Sequence, residues 1–274
     1  MAYTDILAHF DNTERSADRV ALAVAVASRF GARLRGLFAE CDPYLANLAS
    51  LKPEQMYSDA AGRLEAQFKD TAQGAGITVE WNSAMVRRDS ALARSVIQAA
   101  SYSDLAVLGQ YDPGAQETGV PIDFVEQVLI HSGRPALVVP FIGEFPTIGQ
   151  RVMIAWNGGH EATRAVHDAL PFLVAAESVS IVAVNVFDED DGAGSDPCAR
   201  LADHLAVHGV TARTAQLVPE EVGAMDMLLS RCADEGTDLL VMGAHGHYGF
   251  PHMLRGSATR HILRHMTVPV LMSH

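Results

Sequence analysis

The 274-residue chain predicts an α/β protein of two tandem domains, each an open five-stranded parallel sheet with helices on both faces. Three observations lead there. The halves repeat one another: Asp104-Leu-Ala-Val-Leu-Gly109 aligns with Asp238-Leu-Leu-Val-Met-Gly243, and Arg134-Pro-Ala-Leu-Val-Val139 aligns with Val268-Pro-Val-Leu-Met-Ser273, both at a spacing of 134 residues. Nearer the start of each copy, Ile6-Leu-Ala-His-Phe-Asp11 aligns with Val152-Met-Ile-Ala-Trp-Asn157. A period this long denotes domain-sized copies, not a solenoid of short units. Within each copy, short apolar runs alternate with amphipathic segments, the signature of strand–helix–strand units on a parallel sheet. Between them, residues 141–150 (FIGEFPTIGQ) read as a linker through their Gly and Pro residues, which sets domains at 1–143 and 148–274.

The second copy spells out the elements in order. Residues 152–156 form a buried-strand candidate. A helix over 161–175 follows, with Ala165, Val166, Ala169, Leu170 and Leu173 at helical spacing. A strand is expected at 179–186, a helix at 198–207 and a weaker strand at 211–217. A third helix, 224–233, places Met225, Leu228, Leu229 and Cys232 on one face. The last elements are a strand at 239–242, a helix at 257–265 and a strand at 268–272. The first copy repeats this order, with strands near 4–9, 33–38, 77–81, 105–108 and 136–140. In such Rossmann-like sheets ligands sit beyond the carboxyl ends of the strands, where the strand order reverses. The segments after Trp156, Val186 and Met242 should therefore lie near one another.

Composition narrows the partners. With 49% hydrophobic and 19% charged residues, each half can bury a core. The formal net charge is −13, which disfavours a nucleic-acid partner. Local phosphate binding survives that charge, because backbone N–H groups and helix N-termini attract anions. Cys41, Cys198 and Cys232 form no C-x-x-C pair and read as reduced thiols. No secretory leader is evident, and no apolar run approaches the roughly 18–20 residues of a membrane span. A cytoplasmic protein is expected.

The segment after the fourth strand of the second copy has the form G-x-x-G-x9-G-S, from Gly243 through Gly246 to Gly256 and Ser257. Gly243 and Gly246 allow positive φ and close approach of the backbone to a phosphate or ribose. Gly256 and Ser257 open a helix whose free N–H groups face an anion, with Ser257 as cap or hydroxyl donor. Arg255 adds a charge-assisted contact, while His245 and His247 line the pocket and hydrogen-bond phosphate or ribose. The first copy keeps Gly109 but carries Asp112, Ile122 and Asp123 where the second has Gly246, Gly256 and Ser257. Two carboxylates at a phosphate position repel it. One fold thus occurs twice, with a binding loop in one copy only.

This strand, its G-x-x-G-x9-G-S loop, the following helix and the terminal Val268-Pro-Val-Leu run resemble the ATP-binding class of the universal stress protein family. Ile154-Ala-Trp-Asn-Gly-Gly159 resembles that family's first strand and turn. The resemblance covers nearly the whole chain, once per copy. It implies ATP, with Mg2+ as an optional companion, on Gly243, Gly246, Gly256, Ser257 and Ala258, and adenine near Ala155 and Val184. It also implies pairing of the last strands, 136–140 with 268–272, as an internal pseudo-dimer, with a homodimer left open. Where the family commonly has Asp after the first strand, this copy has Asn157 and the first copy Asp11.

Other patterns carry less. His261 and His265 stand at i, i+4, but no carboxylate or cysteine is evident beside them, so no metal site is expected. His160-Glu-Ala-Thr-Arg164 ends in Arg where a metalloprotease has His, and reads as an acidic helix start. The acidic run 188–192 reads as a solvated loop. There is no phosphate-loop lysine and no nucleophile–base pair, so the expected role is regulatory nucleotide binding with at most slow hydrolysis. The alternatives are a nucleotide-independent interaction scaffold and an adenylate-using enzyme.

Overall fold

A computed structural model describes residues 2–41, 54–86, 89–115, 120–184, 196–217, 223–246 and 257–274. The chain divides into two compact units, Ala2–Glu144 and Phe145–His274. Each is an α/β unit on a parallel sheet of Rossmann-like order.

The first unit runs β1 (Asp5–Phe10), α1 (Arg15–Phe30), β2 (Arg33–Cys41), α2 (Glu54–Ala75), β3 (Val79–Val86), α3 (Asp89–Ala100), β4 (Leu105–Gly109), α4 (Phe124–Ser132) and β5 (Ala136–Val139). Its sheet order is β3-β2-β1-β4-β5, all parallel. Helix α1 buries Val20, Ala23, Val24 and Ala27, one face at helical spacing. It stops at Gly31, whose left-handed φ of 64° lets its N–H return to the last turn. Under α2, Phe10, Phe38, Phe68 and Trp81 form an aromatic cluster. Helix α1 packs on α2, and α3 on α4.

The second unit runs β6 (Arg151–Trp156), α5 (His160–Asp168), α6 (Leu170–Val174), β7 (Ser178–Val184), α7 (Pro197–Val207), β8 (Ala212–Leu217), α8 (Ala224–Asp234), β9 (Leu239–Gly243), α9 (Ser257–His265) and β10 (Val270–Ser273). Its order, β10-β9-β6-β7-β8, is again parallel throughout. Two details depart from the sequence reading. The single helix expected over 161–175 is two, α5 and α6, because Pro171 cannot donate to the carbonyl four residues back and its ring crowds that turn. The last strand starts at Val270, since Pro269 brings no N–H to the ladder. The end of the strand expected at 179–186 and the acidic run 188–192 lie outside the described residues. Among the described residues no helix is long and apolar enough to cross a membrane.

Candidate functional site

From β6 the chain leaves toward β7 on one side, and β9 lies on the other side of β6. The carboxyl ends of β6 and β9 therefore flank the crevice where strand order reverses, the usual ligand position in open parallel sheets. Three turns meet here. After Trp156, the turn Asn157–Gly159 leads into α5, and Asn157 Oδ1 accepts the Gly159 N–H (3.0 Å). After Gly243, Ala244 donates its N–H to Ser273 O (2.8 Å), and His245 donates its own to Thr259 Oγ1 on α9 (2.8 Å). Thr259 is buried, so this bond ties the first turn of α9 to the end of β9. Gly246 and Ser257, which bracket the loop, are thus held by the same corner of the unit.

The predicted residues fall as follows. Gly246 approaches Asn157: a Cβ on Gly246 would lie 3.7 Å from Asn157 Nδ2. Ala155 pairs with Met242 on one side and Val182 on the other, and Val184 pairs with Leu217. Ser257 is the first residue of α9 and Ala258, half-buried, the second. His247, Arg255 and Gly256 lie outside the described residues.

Neither Gly243 nor Gly246 has positive φ; that conformation belongs to His245, at φ 58°. Gly243 is required for a different reason: a Cβ there would lie 2.5 Å from the Ala162 nitrogen and 2.6 Å from the Glu161 carbonyl carbon. Helix α5 rests directly on the β9 backbone, and only glycine permits that approach. His245 is buried, with its ring 6.1 Å from that of His274 and edge-on to it. A non-glycine residue in the left-handed region costs about 1–2 kcal/mol, and the Thr259 bond offsets part of that.

Glu161 is the residue the sequence reading missed. It looked like an ordinary acidic helix start, yet it is 1% exposed. Its Oε2 lies 3.2 Å from the Cβ position of Gly246 and 3.3 Å from that of Gly159, and its Oε1 is 2.9 Å from His160 Nε2. A buried carboxylate therefore sits between the Asn157–Gly159 turn and Gly246. The only advance signal was Glu in the first turn of a helix that follows Gly-Gly. The lone His261 also has company: Asp226 of α8 pairs with its Nε2 at 2.7 Å.

In the first unit the corresponding corner is filled. Arg19 of α1 reaches under β4, donating from Nη1 to His9 O (2.9 Å) and to Asp11 Oδ2 (3.3 Å). Its guanidinium lies where a side chain on Gly109 would stand. Asp11 Oδ1 also accepts from Thr13 Oγ1 (2.5 Å) and Ser16 Oγ (3.0 Å). Burial pushes the Asp11 carboxyl up, but Arg19 and these donors hold it at about 2. Burial lowers His9 to about 4, so its ring is neutral and its Nε2 bonds Ala39 O at 2.9 Å.

Residues 149–274 match the universal stress protein family. A curated universal stress protein of Synechocystis sp. is 29% identical over 167 residues, covering 54% of this chain and 49% of that protein. The chain thus spans about half the length of this curated relative. Among solved structures, a universal stress protein from Archaeoglobus fulgidus superposes with a TM-score of 0.72 at 16% identity, covering 98% of this chain and 97% of the other. A functionally unknown protein from Pseudomonas aeruginosa PAO1 reaches 0.60 at 13% identity, with 99% and 92% covered. At such identities the likeness is one of fold. A universal stress protein domain thus occupies residues 149–274 of a chain whose two Rossmann-like halves share the fold of a solved universal stress protein.

Proposed function

We propose that the second half binds an adenine nucleotide, ATP in the first instance, in the crevice between the ends of β6 and β9, and that the protein is regulatory and not an efficient enzyme. One observation carries this reading. Asn157, Gly159 and Gly246 converge on that crevice, and the His245–Thr259 bond brings the start of α9 to it. The G-x-x-G-x9-G-S segment therefore leaves and re-enters the fold where a phosphate chain meets backbone N–H groups. Gly243, Gly246, Gly256, Ser257 and Ala258 supply the cradle, with Arg255 and His247 beside it. Ala155, next to last in β6, and Val184, the last residue of β7, lie on the strand ends where the adenine rests. His245 acts through its backbone and not through its ring.

Glu161 gives this site its own character. Asn157 lacks the charge of the aspartate common at that position, and Glu161 restores a carboxylate one turn later. It accepts a ribose hydroxyl, or holds the nucleotide's Mg2+; a bare triphosphate would be repelled there. Calorimetric titration with ATP tests the reading, with and without Mg2+. Wild type binds saturably, and Gly246→Asp, which copies the first half, loses at least tenfold in affinity while remaining folded. Equal affinities in the two proteins, or no uptake of Mg-ATP by wild type, would sink the nucleotide reading and leave an interaction scaffold.

A further inference from the structure

The opposite, amino-terminal edge of the two sheets differs in a way the nucleotide site does not explain. In the first unit four charged residues occupy register-matched positions, with Asp5 opposite Arg33 and Arg35 opposite Glu80. They neutralise one another. Asp5 pairs with Arg33 and, at 2.9 Å, with Arg35; Arg33 also reaches Glu80 at 3.0 Å. Arg35 turns its remaining N–H groups to the carbonyls of Ala99 and Tyr102.

The second unit keeps the same frame. Asp104 accepts the N–H groups of Thr4 and Asp5, as Asp238 accepts those of Gln150 and Arg151. The pairing is again Arg151 opposite Ser178 and Ser180 opposite Arg213. At the four corresponding positions, both carboxylates have become arginines and both arginines serines. The alternation of strand side chains puts all four on the face where Cys232 of α8 meets Met153. Between them and the last turn of α8 lies a groove of about 480 Å3, walled by Arg231 and Glu235. Arg231 Nε donates to Glu235 Oε1 (2.7 Å), and Arg151 Nε to Gly236 O (2.6 Å). The Arg213 side chain makes no hydrogen bond or ion pair among the described residues, while its backbone belongs to the β7–β8 ladder. Three guanidiniums thus face one carboxylate, in a chain whose net charge is −13.

We propose that this groove is a second ligand site, for a small phosphorylated anion. Its guanidinium forks match phosphate oxygens in pairs, the two serine hydroxyls add donors, and no structural ion pair uses up Arg213. Selection of an isolated positive patch on an acidic surface fits a ligand better than solvation, since unpaired like charges on one groove repel one another. The site is distinct from the nucleotide crevice. It lies at the other end of strands that span about 20 Å for six residues, and it does not rest on the nucleotide reading.

The test uses the full chain, Mg2+-free buffer at physiological salt, and inorganic pyrophosphate as probe, followed by amide NMR shifts. The expected result is saturable shifts at Ser178, Ser180 and Arg213. Arg213→Glu, on an exposed edge strand, weakens them at least tenfold with an otherwise unchanged spectrum. Arg151→Glu serves as a second variant with the same expectation. Shifts confined to His245, Gly246 and the start of α9, shifts that never saturate, or equal affinity in wild type and both variants would overturn the second site.

Discussion

The two halves place the same glycine at the end of the same strand and use it in opposite ways. Below Gly109 the space holds the guanidinium of Arg19, locked to His9 O and Asp11. Below Gly243 the helix itself has moved in, until Ala162 and Glu161 touch the glycine backbone. Counting from the preceding strand, the residue that corresponds to Arg19 is Ala165, fully buried. A small residue at that turn admits close helix–sheet packing, and the crevice beyond is left to Asn157, Gly159 and Gly246. Duplication of one fold thus yields one corner closed by its own charges and one corner framed by glycines.

The largest test breaks the closed corner. Arg19 and Asp11 are 4% and 7% exposed at their side chains, so Arg19→Ala leaves a buried carboxylate without its cation. The first half should lose about 3–5 kcal/mol. Each half has one tryptophan, Trp81 and Trp156, so urea unfolding followed by Trp81 fluorescence in a Trp156→Phe background isolates the effect. A loss below about 1 kcal/mol would mean that the Arg19 cluster is not what closes the corner.

Acid probes the same corner. His9 titrates at about 4 folded against an ordinary 6.5. A group whose folded value is lowered contributes its stability in full above 6.5 and loses it as the pH falls toward 4. The difference corresponds to about 3 kcal/mol. His9→Gln should remove about that much of the pH dependence of the first half's stability between pH 7 and 4. An unchanged profile would show that protonation of His9 is not what acid acts on. Below that window Asp11, held at about 2, contributes a further loss as its carboxylate is protonated.

The open corner responds to bulk instead of charge. Gly243→Ala should cost about 1–3 kcal/mol by overpacking against the α5 backbone, which cannot swing aside as a side chain can. Unfolding followed by Trp156 fluorescence reads it. In Glu161→Gln the fold should survive, while Mg-ATP affinity falls about tenfold, the usual scale for a lost charged hydrogen bond. The smallest effect contrasts with Arg19. Asp226→Asn breaks the exposed His261–Asp226 pair and should change stability by less than about 1 kcal/mol, since solvent screens it.

Much of this was legible in advance, because the repeat, the strand–helix alternation and the glycine spacing are properties of sequence pattern. The places where reading failed share a cause: they depend on what a side chain meets across the fold. Glu161 looked solvated because acidic residues are common in first turns, yet Gly-Gly before it turns it inward. Asp11 was recognised by position, but its engagement by Arg19, eight residues on, depends on which face of α1 turns inward. The charge exchange between Asp5, Arg33, Arg35 and Glu80 and their counterparts emerges only once strand register is known. At Gly243 spacing cannot distinguish a need for positive φ from a need for close packing, and the fold shows close packing on the α5 backbone. The break at Pro171 was readable from proline chemistry alone.

Native mass spectrometry of the full chain with millimolar Mg-ATP tests directly whether one corner is open and the other closed. The expected spectrum shows one nucleotide per chain, lost in Gly246→Asp and retained in Arg19→Ala. Two nucleotides per chain, or one that survives Gly246→Asp, would contradict the assignment of the crevice to the second half.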